Sequence, residues 1–288
     1  HMKQITHDSA TFATILVHVK KCNMLGSIVG RAVKYLPENN RLERIWKLAQ
    51  IDFLRRYYND RLGLLWALIN PLFQIAVYYL VFTHIFNSRE ENFILFLFLG
   101  ILIWGVFSEA TKGSLAILRS KRYLIENIQV NKLDLFISHT ISVFMGFAFN
   151  ITIYLIFAVF LEANFNQNVW AIIPVLITLF IVCMGTAILL NTAYIFIDDI
   201  KHLWDIIVFI GFWSSGILYS VDKIVEVFPA FVYLNPFLGI LKNARNALLY
   251  GIPPDYFLLL YNLTFGLVLV LVANFVFRKC EHLITEKL

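Results

Sequence analysis

Few residues in this chain could do covalent chemistry, and the spacing of those few argues against it. No Gly-Lys dipeptide occurs, which excludes a phosphate loop of the Walker type, and neither Gly-x-Ser-x-Gly nor His-Glu-x-x-His is present. His84, His139 and His202 stand apart without the spacing of metal ligands and read as structural or surface residues. Cys22, Cys183 and Cys280 are widely separated, with no Cys-x-x-Cys, and read as free thiols. Asp198 and Asp199 have Lys201 and His202 beside them, which suits a solvated turn. Glu109 and Lys112 lie three residues apart in an apolar run and are expected to pair along one helix face. No catalytic residue, metal or cofactor is therefore assigned to this chain. What it carries in quantity is aromatic rings. Tyr78 and Phe82 are four apart, as are Phe209 and Trp213, with Phe212 adjacent. Aromatic faces stack on ring-shaped ligands without reading one sequence, so on sugars they would form a permissive path. The competing reading is a belt facing lipid.

The elements that must position these rings are membrane helices. Hydrophobic residues make up 59% of the chain and charged ones 15%, against about 25% charged in soluble domains. Crossing a hydrocarbon core of about 30 Å takes about 20 mainly apolar residues. Runs of that kind, five of them plain and a sixth only slightly less so, cover 64–86, 93–118, 135–161, 169–197, 203–219 and 256–277. Each is expected to be helical, because a backbone in lipid must satisfy its own hydrogen bonds, and no alternating barrel pattern appears. The fold class is all-α, with six transmembrane helices.

Lys and Arg collect before the first run, in 119–132 and at 278–287, whereas 87–92 and 162–168 hold one Arg, three Glu and no Lys. The basic segments are thus expected in the cytosol, with both termini there. Residues 40–61 form an amphipathic helix in which Leu42, Trp46, Ala49, Phe53 and Tyr57 share a face, with Arg55 and Arg56 elsewhere. It is expected to lie in the interface, its stripe among headgroups and its arginines on lipid phosphates; packing on a partner is the alternative. Residues 221–254 are too apolar for a solvated loop. They read as an outer re-entrant hairpin of two helices, 222–234 and 237–250, broken at Asn235-Pro236. Residues 1–39 remain as an extension, and 62–288 as the transmembrane domain.

Residues 53–86 resemble the start of ABC-2 type permeases that export O-antigen, capsule or teichoic acid. The likeness rests on an Arg-rich interfacial helix, then Leu62-Gly63, Trp66-Ala67 and Asn70-Pro71 leading into the first span. Residues 196–200 are similar to that family's Phe-Arg-Asp-Ile turn, 212–219 to its fifth-span motif, and 233–236 to the Asn-Pro between its outer gate helices. The chain departs from the pattern at Ile197-Asp198, at Ser215-Gly216, and in 123–131, which lacks a proline.

The resemblance implies a homodimer in the bacterial inner membrane, working with two copies of an ATP-binding subunit that holds the ATP and Mg. It implies a lipid-linked glycan as cargo, O-antigen foremost, and no nucleic acid. Tyr78, Phe82, Phe209, Phe212 and Trp213 would line the glycan path. Arg119, Lys121, Arg122, Tyr123, Ile125 and Glu126 would meet the ATP-binding subunit, Trp46, Arg55, Arg56 and Tyr57 would anchor the interfacial helix, and Asn235 and Pro236 would form the outer gate. Three alternatives stay open from the residues: the same architecture with another cargo (teichoic acid, capsule, drug or lipid), an ion-coupled secondary transporter or channel, and a structural anchor for a glycosyltransferase that moves nothing across the membrane. Lacking a phosphate loop, the purified chain alone should release no phosphate from ATP. Hydrolysis by the isolated chain, measured as phosphate release, would contradict this.

Overall fold

The computed structural model describes residues 40–57, 63–84, 92–128, 130–163 and 166–287, and every regular element among them is helical. Extension 1–39 and Cys22 lie outside the described residues. Helix α1 spans Arg41–Tyr57, α2 Leu65–His84 and α3 Phe93–Ser114. Two short helices follow, α4 Ile117–Ser120 and α5 Arg122–Ile128, then α6 Lys132–Phe160. A 3-10 turn at Gln167–Ala171 leads into α7 Ile172–Phe196, and α8 is Ile200–Ser214. The small helices α9 Val221–Val227, α10 Phe231–Leu234 and α11 Pro236–Arg245 precede α12 Tyr256–Lys287.

Among the described residues five helices are long and apolar enough to cross a membrane: α2, α3, α6, α7 with its 3-10 turn, and α12. The chain is an all-α polytopic membrane protein. The fifth run, 203–219, is shorter as a helix than its composition suggests. Helix α8 has 15 residues, about 22 Å of rise, and ends in a turn at Gly216, whose φ of +70° favours glycine.

Helix α3 is the centre of the bundle. It is buried along nearly its whole length, and its Leu95–Leu99 stretch is almost entirely removed from the surface. Helices α7 and α12 pack closely because glycines let their backbones approach. A Cβ on Gly185 would stand 2.9 Å from Leu269 Cγ and 3.0 Å from the Val270 amide nitrogen, and one on Gly266 would stand 3.1 Å from Ile181 and Val182. Such small-residue seams are how membrane helices gain van der Waals contact where apolar transfer from lipid offers little.

Two expected elements change on folding. Helix α1 packs lengthwise on α6 and turns Ile45, Leu48, Ala49 and Tyr57 into protein. Ala49 and Tyr57 are therefore withdrawn from the stripe drawn for lipid, while Leu42 and Trp46 stay exposed. The cause is electrostatic as much as apolar. Asp134, fully buried in the first turn of α6, accepts from Arg41 Nε at 2.9 Å and from Arg44 Nη2 at 3.2 Å. The 222–234 helix is also two pieces, because Pro229 follows α9 and cannot continue its hydrogen bonding. The break at Asn235-Pro236 falls where expected: Asn235 Oδ1 accepts from Phe237 N–H at 3.1 Å and Pro236 opens α11.

Replacing Gly185 by Leu should destabilise the protein by roughly 1–3 kcal/mol through overpacking. Gly105→Ala, with nothing within 4 Å of the new methyl, should leave the melting temperature unchanged. Thermal unfolding in detergent distinguishes the two, and equal melting temperatures would mean that the seam is loose.

Candidate functional site

The residues with something to offer a ligand converge on one cavity of about 520 Å3, bounded by the end of α1, the first half of α2, one face of α3, part of α6 and the C-terminal half of α8. Its location follows from Pro71. A proline inside α2 cannot donate an N–H to the carbonyl of Ala67, four residues back. Asn150 of α6 fills the vacancy, its Nδ2 donating to Ala67 O at 3.1 Å. The proline step thereby fastens α2 to α6, and the Asn150 amide lines the cavity with its Oδ1 buried and unpartnered. The turn before α2 needs Gly63, whose φ is +52°.

At one end of the cavity stands an ion pair. Arg56 Nη1 lies 2.9 Å from Glu109 Oε1, and Arg56 Nη2 lies 3.5 Å from His139 Nδ1. The expected Glu109–Lys112 pair is thus replaced by two bridges between helices, since Lys112 meets Asp205 of α8 at 2.7 Å. Partners on other helices come closer than the neighbour one turn away. Tyr57, next to this pair, packs its ring 5.0 Å from Phe53 and carries its hydroxyl against Gly146. Burial, and then the Glu109 carboxylate, push the Tyr57 phenol above its ordinary range, so it stays a neutral donor.

The opposite part of the cavity is aromatic. Tyr78 and Phe212 approach to 5.7 Å between ring centroids and join α2 to α8, and Trp213 stands edge-on to Phe212 at 6.0 Å. Phe209 and Trp213 are 67% and 46% exposed, so their faces are available. The structure brings Tyr78, Phe209, Phe212 and Trp213 together in the cavity wall. It sets Phe82 apart, with its ring 6.2 Å from that of Phe93. Sequence reasoning missed Asn70, Gln74, Ser108 and Asn150, which line the middle. A signal existed: each is a polar side chain inside an otherwise apolar run.

Helix α8 is held lightly. Val208 is its one buried residue, Trp204 Nε1 donates to Thr111 Oγ1 at 3.0 Å, and Asp205 holds Lys112. Its C-terminal end is finished by α11 and the residue before it. Arg245, 2% exposed, donates to the Gly216 carbonyl at 2.7 Å and the Ile217 carbonyl at 2.9 Å while its guanidinium lies 3.4 Å from the Phe96 ring centroid. Asn235 Nδ2 donates to Ser214 O at 3.3 Å and to Ser215 Oγ at 3.1 Å. These donors serve carbonyls left over where a helix stops. Pro236 itself only starts α11. Arg245 was overlooked in the sequence, although a cation in so apolar a segment is costly enough to be a signal.

The basic segment after α3 divides by orientation. Arg119 Nη1 pairs with Asp198 at 2.7 Å and its guanidinium lies 4.6 Å from the Tyr194 ring, so the Asp198-Asp199 turn is exposed yet engaged. Lys121 pairs with Asp52 of α1, and Ile125 packs inward. Arg122, Tyr123 and Glu126 point out, Arg122 Nε donating to Glu126 at 2.5 Å. On α1, Trp46 and Arg55 are exposed, whereas Arg56 and Tyr57 belong to the cavity. His84 and His202 are exposed, Cys183 is buried and Cys280 half-buried, both as thiols. Among the described residues no three His, Cys, Asp or Glu gather as a metal would require.

The ABC-2 type transporter family matches residues 43–249, most of the chain and all the elements that build the cavity. The chain belongs to the ABC-2 type transporter family. The match is to a family of membrane transport proteins. It is 24% identical over 237 residues to the O-antigen export system permease protein RfbA of Klebsiella pneumoniae, covering 82% of this chain and 91% of that one. A second Klebsiella pneumoniae protein of the same name is 26% identical over 242 residues, with the same coverage. The protein of that name from Myxococcus xanthus is 22% identical over 246 residues, covering 84% and 94%.

Arg56→Gln and Glu109→Gln should each lower the melting temperature, and the double variant should recover part of the loss. The coupling should be about 0.5–1 kcal/mol, small because Glu109 is half open to the cavity. Additive losses in the double-mutant cycle would mean that the two groups do not act on each other.

Proposed function

We propose that this chain is the permease subunit of an exporter that moves a lipid-linked polysaccharide, O-antigen foremost, out of the cytosol across the bacterial inner membrane. The observation that carries the reading is the cavity. It is open on one side, its rings are exposed on the short helix α8, and amides occupy its middle. Sugars present apolar ring faces and hydroxyls, which suit aromatic planes and amides respectively. The similarity to O-antigen export permeases along most of the chain supports the same cargo class.

An open groove becomes a channel when a second copy faces it, so the working unit is a homodimer. Helices α2 and α8, which both line the cavity, also carry exposed apolar side chains (Phe73, Val77, Leu80; Ile206, Ile207, Ile210) that would provide for this contact. Helix α8 acts as a sixth, shortened crossing, and α9–α11 form a re-entrant hairpin in the outer leaflet, with Asn235 and Pro236 at the gate. Both termini are then cytosolic, and α1 lies at the inner interface with Trp46 and Arg55 among headgroups.

Power comes from a separate ATP-binding subunit, two copies per dimer, seated on α4 and α5. Arg122, Tyr123 and Glu126 offer the contact. Arg119 and Lys121 face the chain's own Asp198 and Asp52, and so carry movement of this segment to α8 and α1.

The test is a Phe209→Ala, Trp213→Ala double variant in a strain that depends on this chain for surface glycan. Stacking contributes about 1–3 kcal/mol per ring if sugars behave as bases do. Surface glycan should fall and lipid-linked glycan should accumulate in the cytosol while the ATP-binding subunit still copurifies. Normal export from an intact complex would place the path elsewhere.

A further inference from the structure

We infer that the cavity selects uncharged glycans over polyanionic ones. The inference rests on the export reading above and narrows its substrate class. Among the described residues lining the cavity the charged side chains are Arg56 and Glu109, and at 2.9 Å they cancel each other. Lys112 and Asp205, which join α3 to α8 and are not among the lining residues, pair with one another at 2.7 Å. Between the ion pair and the aromatic rings the wall offers Asn70, Gln74, Ser108 and Asn150, all neutral.

A repeat unit carrying a carboxylate or phosphate would leave water for this groove and find no uncompensated cation among those lining residues. Pores that pass anions meet that cost with rings of Arg or Lys, and an ionised group in the membrane interior without such a partner is strongly disfavoured. An uncharged sugar loses much less. Its hydroxyls both donate and accept, matching side-chain amides such as those of Asn70 and Gln74 that do the same. A facing second copy would double the inventory and leave its net charge at zero. The selection acts on the repeats that run along the path and is indifferent to the anchor at their end.

The experiment supplies the complex of this chain and its ATP-binding subunit, in cells otherwise unable to export, with two lipid-linked glycans of equal length and backbone. One is uncharged and the other bears a uronic acid carboxylate in every repeat. Per unit of precursor, surface display of the uncharged glycan should exceed that of the acidic one by at least about tenfold. Gln74→Lys, which adds a cation to the wall without touching the ion pair, should raise the acidic-to-neutral ratio, and Glu109→Gln, which frees the Arg56 charge, should do the same. Copurification of the ATP-binding subunit identifies which variants assemble. Equal display of both glycans by the unmodified complex overturns the inference and leaves the export reading standing, and so does an unchanged ratio in an assembled variant. Display of neither glycan by an assembled complex overturns the export reading itself.

Discussion

An ionised side chain near hydrocarbon must be answered, and this rule positions the helices more firmly than any apolar contact does. Asp134 is fully buried and is met by two arginines from α1. Arg56 reaches Glu109, Lys112 reaches Asp205, Lys121 reaches Asp52 and Arg119 reaches Asp198. Each of these bridges joins two different elements. Apolar side chains in a bilayer lose little by turning toward lipid, so they choose among packings weakly, whereas an unmatched charge eliminates most alternatives. The cost of leaving one partner alone is larger than the worth of the pair, which is why such bridges specify position even where they add little stability.

Within this frame the bundle has two characters. Helix α3 is buried except along the face that lines the cavity, and α7 is locked to α12 through glycine contacts, so these helices form a body with little freedom. Helices α2 and α8 are different: one buried residue each, and otherwise rings, a proline step and a few polar links, two from α8 to α3 and one from α2 to α6. The cavity lies between the two kinds, with a stiff back and adjustable sides. A cargo whose thickness varies from sugar to sugar needs that combination, because aromatic planes on a lightly held helix can follow the contour while the core keeps its packing.

How much of this could be read beforehand depended on whether the deciding interaction was local. Apolar runs set the long helices, since length and hydropathy act residue by residue. The break at Asn235-Pro236 was equally plain, because a proline acts on its own backbone. Pro229 has the same effect and divided a helix that had been drawn whole. Partner choice was not legible. Glu109 and Lys112 sit at ideal spacing for each other, yet both bond elsewhere, for helix geometry says which residues could meet and not which competitor stands nearer. The face of α1 was misdrawn for a related reason. Asp134, ninety residues away in sequence, draws Arg41 and Arg44 toward α6 and carries Ala49 and Tyr57 inward with them. The gathering of Tyr78, Phe209, Phe212 and Trp213 was half legible: spacing grouped them within α2 and within α8, and only the tertiary fold put the two helices side by side and left Phe82 outside.

The glycine seam between α7 and α12 bears on how the protein is made. Helix α12 is synthesised after every other long helix, and Gly185 waits on α7 with a backbone groove that only the Leu269–Val270 turn fills. Until then α7 presents lipid with a notch where a smooth apolar surface would insert more comfortably. Docking of α12 fills that notch, so the seam forms only once α12 has entered the membrane beside α7.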